Sequence, residues 1–213
     1  MTALNFLVEP QRVLIAMDTL SVDYETKRPH LFCSKMFLLP HLGGVMCGTG
    51  AFPIIMDWFV AIQSQMLVKD MVHLDQFTPS LLGSIAAKHS LPDGVTATVY
   101  HFGYSKDAGE YAAFAYRSTS AFVSEPLGHG LGIKPRIEAE PFSQLPEGFI
   151  RLVHRQRDQD RAAPIAEQVG IGGEIQFLVM TPGIFQLSNC HRYENYEAQY
   201  AEMLRNVTRA SED

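Results

Sequence analysis

The chain has 213 residues with 17 basic and 23 acidic side chains, a formal net charge of −6 at pH 7. This length is most simply one domain, residues 1–213, with a sizeable core, and the mildly acidic balance argues against the basic surface of a nucleic-acid-binding protein. The longest apolar stretch, Ala51 to Val60, contains Pro53 and Asp57 and is too short to cross a bilayer, so we expect neither a nucleic-acid nor a membrane partner.

Two strands are predicted at the start of the chain. Apolar and polar or small residues alternate from Ala3 to Val8, which is typical of a half-buried strand, and Val13 to Asp18 is a more continuously apolar run. The residues between them suit a turn, so a hairpin would bring Asp18 back beside Thr2. Lys35 opens the next predicted strand, KMFLL, and is expected to approach the same end of the sheet.

Thr2 directly follows Met1, and its small side chain is of the type that lets a methionine aminopeptidase remove Met1. A threonine exposed in this way carries a hydroxyl nucleophile and a free α-amine, whose unperturbed pKa of about 7.7–8.0 lets it serve as the general base. A nearby lysine favours the neutral form of that amine, and a carboxylate holds the lysine. Lys35 and Asp18 are the candidates for these two roles.

Three further segments accompany Thr2: VLIAMDTLS, SKMFLLPHLGG and VMCGTGAF. At these residues the chain resembles the proteasome β-subunit family of N-terminal nucleophile (Ntn) hydrolases, including the simpler bacterial proteasome-like peptidases. Asp18 and Gly48 fall at the family's distance from the nucleophile, whereas Lys35 falls one residue late. The resemblance implies a threonine peptidase or amidase in which Thr2 attacks, Lys35 and Asp18 activate it, and the Gly48 N–H binds the oxyanion.

The same resemblance carries expectations for the fold and the partners. It implies an α+β fold, a four-layer αββα sandwich in which two sheets lie between two layers of helices. It also implies a homo-oligomeric ring whose active sites face an internal chamber. An unfoldase or another protein partner would supply the peptide substrate. No cofactor and no metal ion are expected to take part.

Two glycine-rich segments depart from the family pattern. LGHGLG (127–132) and QVGIGGEI (168–175) offer His129 and Gln168 where the family has a supporting serine and aspartate, and Ile171 stands at the position of a turn serine. His129 is either close to the site or simply exposed. If Met1 stays in place, Thr2 also lacks a free amine. The alternative function is therefore a catalytically inactive structural or assembly subunit.

Two helices and two strands are predicted in the middle of the chain. Residues 51–70 form a helix that is apolar around most of its circumference, from Ile54 to Leu67, so it must be covered on more than one side. Residues 75–90 suit a second helix with Pro79 in its first turn. Strands at 95–104 and 110–119 follow, and this order favours sheets covered by helices.

The last third of the chain is predicted to begin with a glycine- and proline-rich loop at 124–149. Residues 151–170 form a charged helix, solvated or at a subunit edge, which Pro164 interrupts. A hairpin at 173–189 turns at Thr181-Pro182-Gly183. The final helix, 194–207, is expected to dock through one face, which carries Tyr196, Tyr200 and Leu204.

The three cysteines, Cys33, Cys47 and Cys190, show no ligand-like spacing. Their odd number and the lack of an N-terminal signal segment favour reduced thiols in a cytoplasmic protein. His191 adjoins Cys190, but two adjacent residues without a further cluster do not predict a metal site.

Overall fold

The computed structural model describes residues 2–138 and 144–210, with side chains up to residue 206, and the prediction about Met1 removal lies outside this range. The described residues form a mixed α and β structure. Its strands are β1 (Leu4–Glu9), β2 (Arg12–Asp18), β3 (Leu20–Val22), β4 (Pro29–Phe32), β5 (Met36–Leu39), β6 (Gly44–Gly50), β7 (Ala97–Ser105), β8 (Glu110–Arg117), β9 (Ser124–Leu127), β10 (Gly130–Lys134), β11 (Glu174–Thr181) and β12 (Ile184–Arg192). Its helices are α1 (Phe52–Gln65), α2 (Met71–Asp75), α3 (Thr78–Ala86), α4 (Glu147–Ala162) and α5 (Tyr196–Ala210).

Two five-stranded antiparallel sheets dominate the structure. The first has the order β10-β1-β2-β11-β12, the second has the order β5-β6-β7-β8-β9, and β3 and β4 form a separate ribbon. A shared hydrophobic cluster joins side chains from β1, β2 and β11 to others from β5 through β8. Within it the rings of Phe6 and Phe102 lie 5.0 Å apart between centroids, so the two sheets pack face to face.

Helices α1, α2 and α3 contribute to a second cluster with the other side of the second sheet. Ile54, Trp58 and Ile62 of α1 are buried there, and α1 also contacts α3, as the apolar circumference predicts. The expected helix over 51–70 is shorter, because α1 ends at Gln65 and Met66 is extended. The prediction that Leu67 packs with this helix is wrong, since its side chain is fully exposed.

Helix α4 is charged, as predicted, but it is not solvated on all sides. One face of α4, which includes Phe149, Leu152 and Val153, is buried. Phe149 and Val153 belong to a third cluster with β2 and β11 of the first sheet. Gln156 exchanges side-chain hydrogen bonds with Asn5 on β1, at 2.7 and 3.1 Å. The many charges of α4 obscured this face, and two of the charged residues, Arg157 and Asp160, are themselves buried. Its end at Ala162 agrees with the break predicted at Pro164.

The segment predicted as a loop over 124–149 contains two strands, although residues 139–143 lie outside the description. Strand β9 pairs with β8 at the edge of the second sheet, and β10 pairs with β1 at the edge of the first. Gly132 of β10 faces Phe6 so closely that a Cβ would lie 2.1 Å from its ring. Edge strands tolerate glycine and proline, which explains why this composition indicated a loop.

The docking face of α5 also differs from the prediction. Tyr196 stacks on Phe32 of β4 with ring centroids 4.3 Å apart, and Met203 is buried, but Tyr200 and Leu204 are 48% and 51% exposed. Seven residues return a helix to within about 20° of its starting direction, whereas steps of four rotate it by about 40° each. The face that docks therefore runs from Tyr196 to Met203. No helix of the described ranges is long and apolar enough to span a membrane.

Candidate active site

The β1–β2 hairpin brings Thr2 and Asp18 together. Leu4 pairs with Met17 in this hairpin, so Thr2, just before β1, lies beside Asp18 at the end of β2. Lys35 lies just before β5 and approaches them from the second sheet. These three side chains are buried, with exposed fractions of 2% for Thr2, 1% for Asp18 and 8% for Lys35. The structure therefore assembles the three residues that the sequence analysis selected.

The Thr2 hydroxyl lies between the other two side chains. It donates a hydrogen bond to Asp18 Oδ1 and accepts one from Lys35 Nζ. The ammonium also donates to Asp18 Oδ2 at 3.1 Å and to the Leu20 carbonyl at 2.6 Å. These three acceptors use all three N–H groups of the lysine, so its position against the hydroxyl is fixed.

Backbone groups hold the Asp18 carboxylate from two directions. Ala3 N donates to Oδ1 at 2.9 Å, and Leu20 N donates to Oδ2 at 3.2 Å. Gly172 N donates to the same oxygen at 3.3 Å, from a residue 154 positions away in the chain. With Thr2 and Lys35, this gives five donors for one carboxylate, whose orientation is consequently rigid.

Gly48 lies close to Lys35, and its N–H already has a partner. It donates to the Lys35 carbonyl at 3.3 Å, which is long for an N–H···O bond, so binding of an oxyanion would require this weak bond to be exchanged. A Cβ at Gly48 would come within 2.5 Å of Ile55 on α1. The glycine therefore also has a packing role.

A loop held by Asp160 completes the site, and the sequence analysis missed this residue. Its carboxylate accepts from the backbone N–H groups of Val169, Gly170 and Ile171 at 2.5, 3.0 and 3.3 Å. The next residue, Gly172, is the donor to Asp18. Asp160 lies in the charged helix α4, seven residues after Val153 and on the same buried face, a helical spacing that could have indicated it.

Replacing Asp160 by asparagine is expected to destabilise this loop. The amide would place an N–H₂ group against backbone donors, which costs about 1–3 kcal/mol when a buried donor loses its acceptor. Urea unfolding measures that loss, and hydrogen exchange should speed up at residues 169–172. Asp158→Asn on the exposed face of the same helix is the matched control, and equal effects of both variants would contradict this role for Asp160.

Gln168 and His129 do not join the triad. Gln168 Nε2 donates to the Ala163 carbonyl at 3.0 Å. His129 lies in the β9–β10 turn, next to Gly130, which pairs with Val8 at the end of β1 opposite Thr2. Its Nε2 is 3.2 Å from the Tyr111 carbonyl. Of the two alternatives for His129, the structure shows the exposed one, and it is the other end of β10 that approaches Thr2.

That other end carries Lys134, a half-buried lysine that the sequence analysis did not select. Lys134 pairs with Leu4, and its Nζ donates to the hydroxyls of Thr49 and Thr98 at 2.9 and 3.2 Å. Burial, with a smaller contribution from the charge of Arg117, lowers the pKa of Lys134 to about 8. Lys134 therefore keeps its charge at neutral pH but loses it at a lower pH than an exposed lysine does.

This shift predicts a pH-dependent stability. The pKa of Lys134 is about 8 when folded and 10.5 as its ordinary value, so between these values the unfolded chain binds more protons and the unfolding free energy rises with pH. We expect the wild-type chain to gain about 1–3 kcal/mol relative to Lys134→Met over this interval. Urea unfolding from neutral pH to about pH 10 measures the gain. Lys106→Met removes an exposed lysine as control, and parallel profiles for wild type and Lys134→Met would refute the prediction.

A cavity of about 560 Å³ is lined by residues close in sequence to the triad, although Thr2, Asp18 and Lys35 themselves do not line it. Ser21, Cys33 and Gly50, each within two residues of a group described above, form part of its wall. Much of the remaining wall is apolar, and Lys27 and His30 add polar groups; the apolar side chains include Val22, Leu31, Leu91, Pro92 and Val95. Within residues 2–138 and 144–210, no group of three or more His, Cys, Asp or Glu side chains is arranged to hold a metal ion.

Comparison with known proteins does not assign this chain to a family. No family model matches it, and no curated protein matches it. Its function is therefore inferred from the geometry of Thr2, Asp18 and Lys35.

Proposed function

We propose that the chain is a proteasome-like threonine peptidase or amidase whose nucleophile is Thr2 after removal of Met1. The observation that carries this proposal is the Thr2 hydroxyl held between the Asp18 carboxylate and the Lys35 ammonium. A threonine with only a packing role does not require a buried lysine whose three N–H groups are all hydrogen-bonded around it. It is the arrangement that a hydroxyl nucleophile needs, because an adjacent positive charge stabilises the developing alkoxide.

The proposed reaction is acyl transfer in two steps. Thr2 Oγ1 attacks the carbonyl carbon of a peptide bond, and its proton passes to the free α-amine of the same residue. The Gly48 N–H, released from the Lys35 carbonyl, donates to the oxyanion. The C–N bond then breaks as the ammonium returns the proton to the leaving amine, and an ester to Thr2 remains. Water hydrolyses this ester with the α-amine again as base.

The cavity of about 560 Å³, whose wall includes Ser21, Cys33 and Gly50, is proposed as the binding place for the substrate. Its apolar wall favours a peptide with a large apolar side chain next to the cleaved bond, because burying that side chain contributes about 1.5–3 kcal/mol. The four-layer αββα arrangement is likewise proposed, with support from the helix clusters on the outer side of each sheet. A homo-oligomeric ring, an unfoldase partner and a cytoplasmic location complete the proposal.

One pair of observations favours the alternative, an inactive structural or assembly subunit. Thr2 is almost fully buried, and the Gly48 N–H is engaged with the Lys35 carbonyl. In that case the hydrogen bonds among Thr2, Asp18 and Lys35 serve to hold the segment before β1 in place between the two sheets. The two functions differ in whether Thr2 has a free amine, since only the peptidase needs it.

Intact-mass measurement of the protein purified from a native-like cytoplasm tests the proposal. We expect a mass short by one methionine, because Thr2 has a small side chain, and we expect an electrophilic carbonyl-directed inhibitor to add to Thr2. Peptide mapping identifies the modified residue. A mass that retains Met1 would rule out self-activated catalysis and favour the assembly role.

A further inference from the structure

A second pocket, of about 270 Å³, lies between α4 and the chain that leaves β12. His154, Arg157 and Arg161 of α4 contribute to its wall, and their spacing of three and four residues places them on one face of the helix. His191 and Tyr193 come from the end of β12 and the residues after it. None of these side chains belongs to the triad described above.

The pocket concentrates positive charge. Within the described ranges, neither Arg157 nor Arg161 has a carboxylate at ion-pair distance, although Glu194 also lines the pocket. Burial, followed by the charge of Arg161, lowers the pKa of Arg157. Burial and then the neighbouring His191 and Arg157 lower the pKa of His154. The charges of Arg157 and Arg161 repel each other, and a bound anion would relieve that repulsion.

Ring contacts and hydrogen bonds hold the side chains of the pocket wall in place, but two of their polar atoms have no hydrogen-bond partner. The Arg157 guanidinium lies 3.7 Å from the centre of the Tyr193 ring, and its Nη2 donates to Asn195 Oδ1 at 2.5 Å. The rings of His154 and His191 meet edge to face, with centroids 4.5 Å apart. Among the described residues, the buried Arg157 Nε and Tyr193 Oη have no hydrogen-bond partner. Buried polar groups without partners are uncommon, so the protein alone does not complete this site.

We propose that this pocket binds a phosphate group. Arginine presents several N–H donors in a plane that matches the oxygens of phosphate, and charge-assisted bonds of this kind are the strong ones. The volume is several times the roughly 30 Å³ that one water occupies in the liquid, which leaves room for a small organic group on the phosphate. Free inorganic phosphate and a small phosphate monoester are the two sources that this chemistry admits.

One backbone hydrogen bond links the pocket to the loop beside the triad. Tyr193 N donates to the Gly173 carbonyl at 3.1 Å, and the preceding Gly172 donates to Asp18. Binding of phosphate is nevertheless proposed independently of peptide hydrolysis. Its test accordingly measures binding alone.

Isothermal titration calorimetry of the full chain with sodium phosphate, at constant ionic strength in sodium chloride, tests the proposal. We expect wild-type protein to bind, and Arg161→Gln to bind at least about tenfold more weakly, because one charge-assisted bond is lost. Arg161 is exposed, so this variant should fold. Arg151→Gln, on the exposed face of the same helix outside the pocket, is the matched control and should bind like wild type.

Two results would overturn the phosphate site. They are the absence of phosphate binding by wild-type protein at millimolar concentration, and equal weakening in Arg161→Gln and Arg151→Gln, which would indicate only a general charge effect. Glycerol phosphate distinguishes the sources. Binding at least as tight as that of inorganic phosphate supports a monoester ligand, whereas binding of inorganic phosphate alone supports the free ion.

Discussion

Replacing Thr2 by alanine is expected to lower kcat/KM for peptide hydrolysis at least about a thousandfold, because the only proposed nucleophile is removed. Alanine is also small, so removal of Met1 should be unchanged. The measurement uses short peptides with a large apolar residue linked through an amide to a fluorophore. Size-exclusion chromatography at equal protein concentration should show the same assembly for the variant and the wild type.

Thr2→Ser is the matched control for this experiment. Serine retains the hydroxyl between Asp18 and Lys35 and also permits removal of Met1, so a substantial part of the activity should remain. If Thr2→Ala hydrolyses the peptides as fast as the wild type, Thr2 is not the nucleophile. Loss of hydrolysis in Thr2→Ala, with Thr2→Ser active and both assembled, would exclude the purely structural alternative.

Replacing Lys35 by methionine is expected to have the largest effect on stability. The Asp18 carboxylate would stay buried without its cation, and breaking a buried ion pair in this way costs about 3–5 kcal/mol. The backbone donors from Ala3, Leu20 and Gly172 remain, so the lower end of that range is expected. At about 2–4 °C per kcal/mol for a chain of this size, Tm should fall by roughly 6–12 °C. Hydrolysis should be lost as well.

The double variant Lys35→Met with Asp18→Asn separates stability from activity. It removes both charges, so its destabilisation should be smaller than the sum of the two single effects by about 1 kcal/mol or more. Hydrolysis should stay absent, because neither the cation nor the carboxylate is restored. Asp57→Asn, at an exposed carboxylate on α1, is a control for the loss of an acidic charge. Strict additivity of the two single effects would contradict direct coupling between Lys35 and Asp18.

Residues close in sequence accounted for most of the correct predictions. The β1 and β2 patterns, the turn between them and the meeting of Thr2 with Asp18 all lie within the first 18 residues. The hairpins β7–β8 and β11–β12 were also predicted, because alternation and turn residues are local signals. Two other predictions were wrong because of local composition. The charges of α4 hid the face that packs on the first sheet, and the glycine and proline content of residues 124–134 hid the edge strands β9 and β10.

By itself, then, the sequence determined the local elements and the pairing of Thr2 with Asp18, since a tight hairpin sets its register through neighbouring residues. Lys35 was also selected from the sequence, but only the tertiary structure decided how it and the rest of the site assemble. Lys35 comes from the opposite sheet, Gly172 reaches Asp18 across 154 positions, and Asp160 and the Arg157 pocket depend on how α4 lies on the first sheet. Such contacts arise from the packing of whole layers, and no spacing within one segment encodes which faces meet.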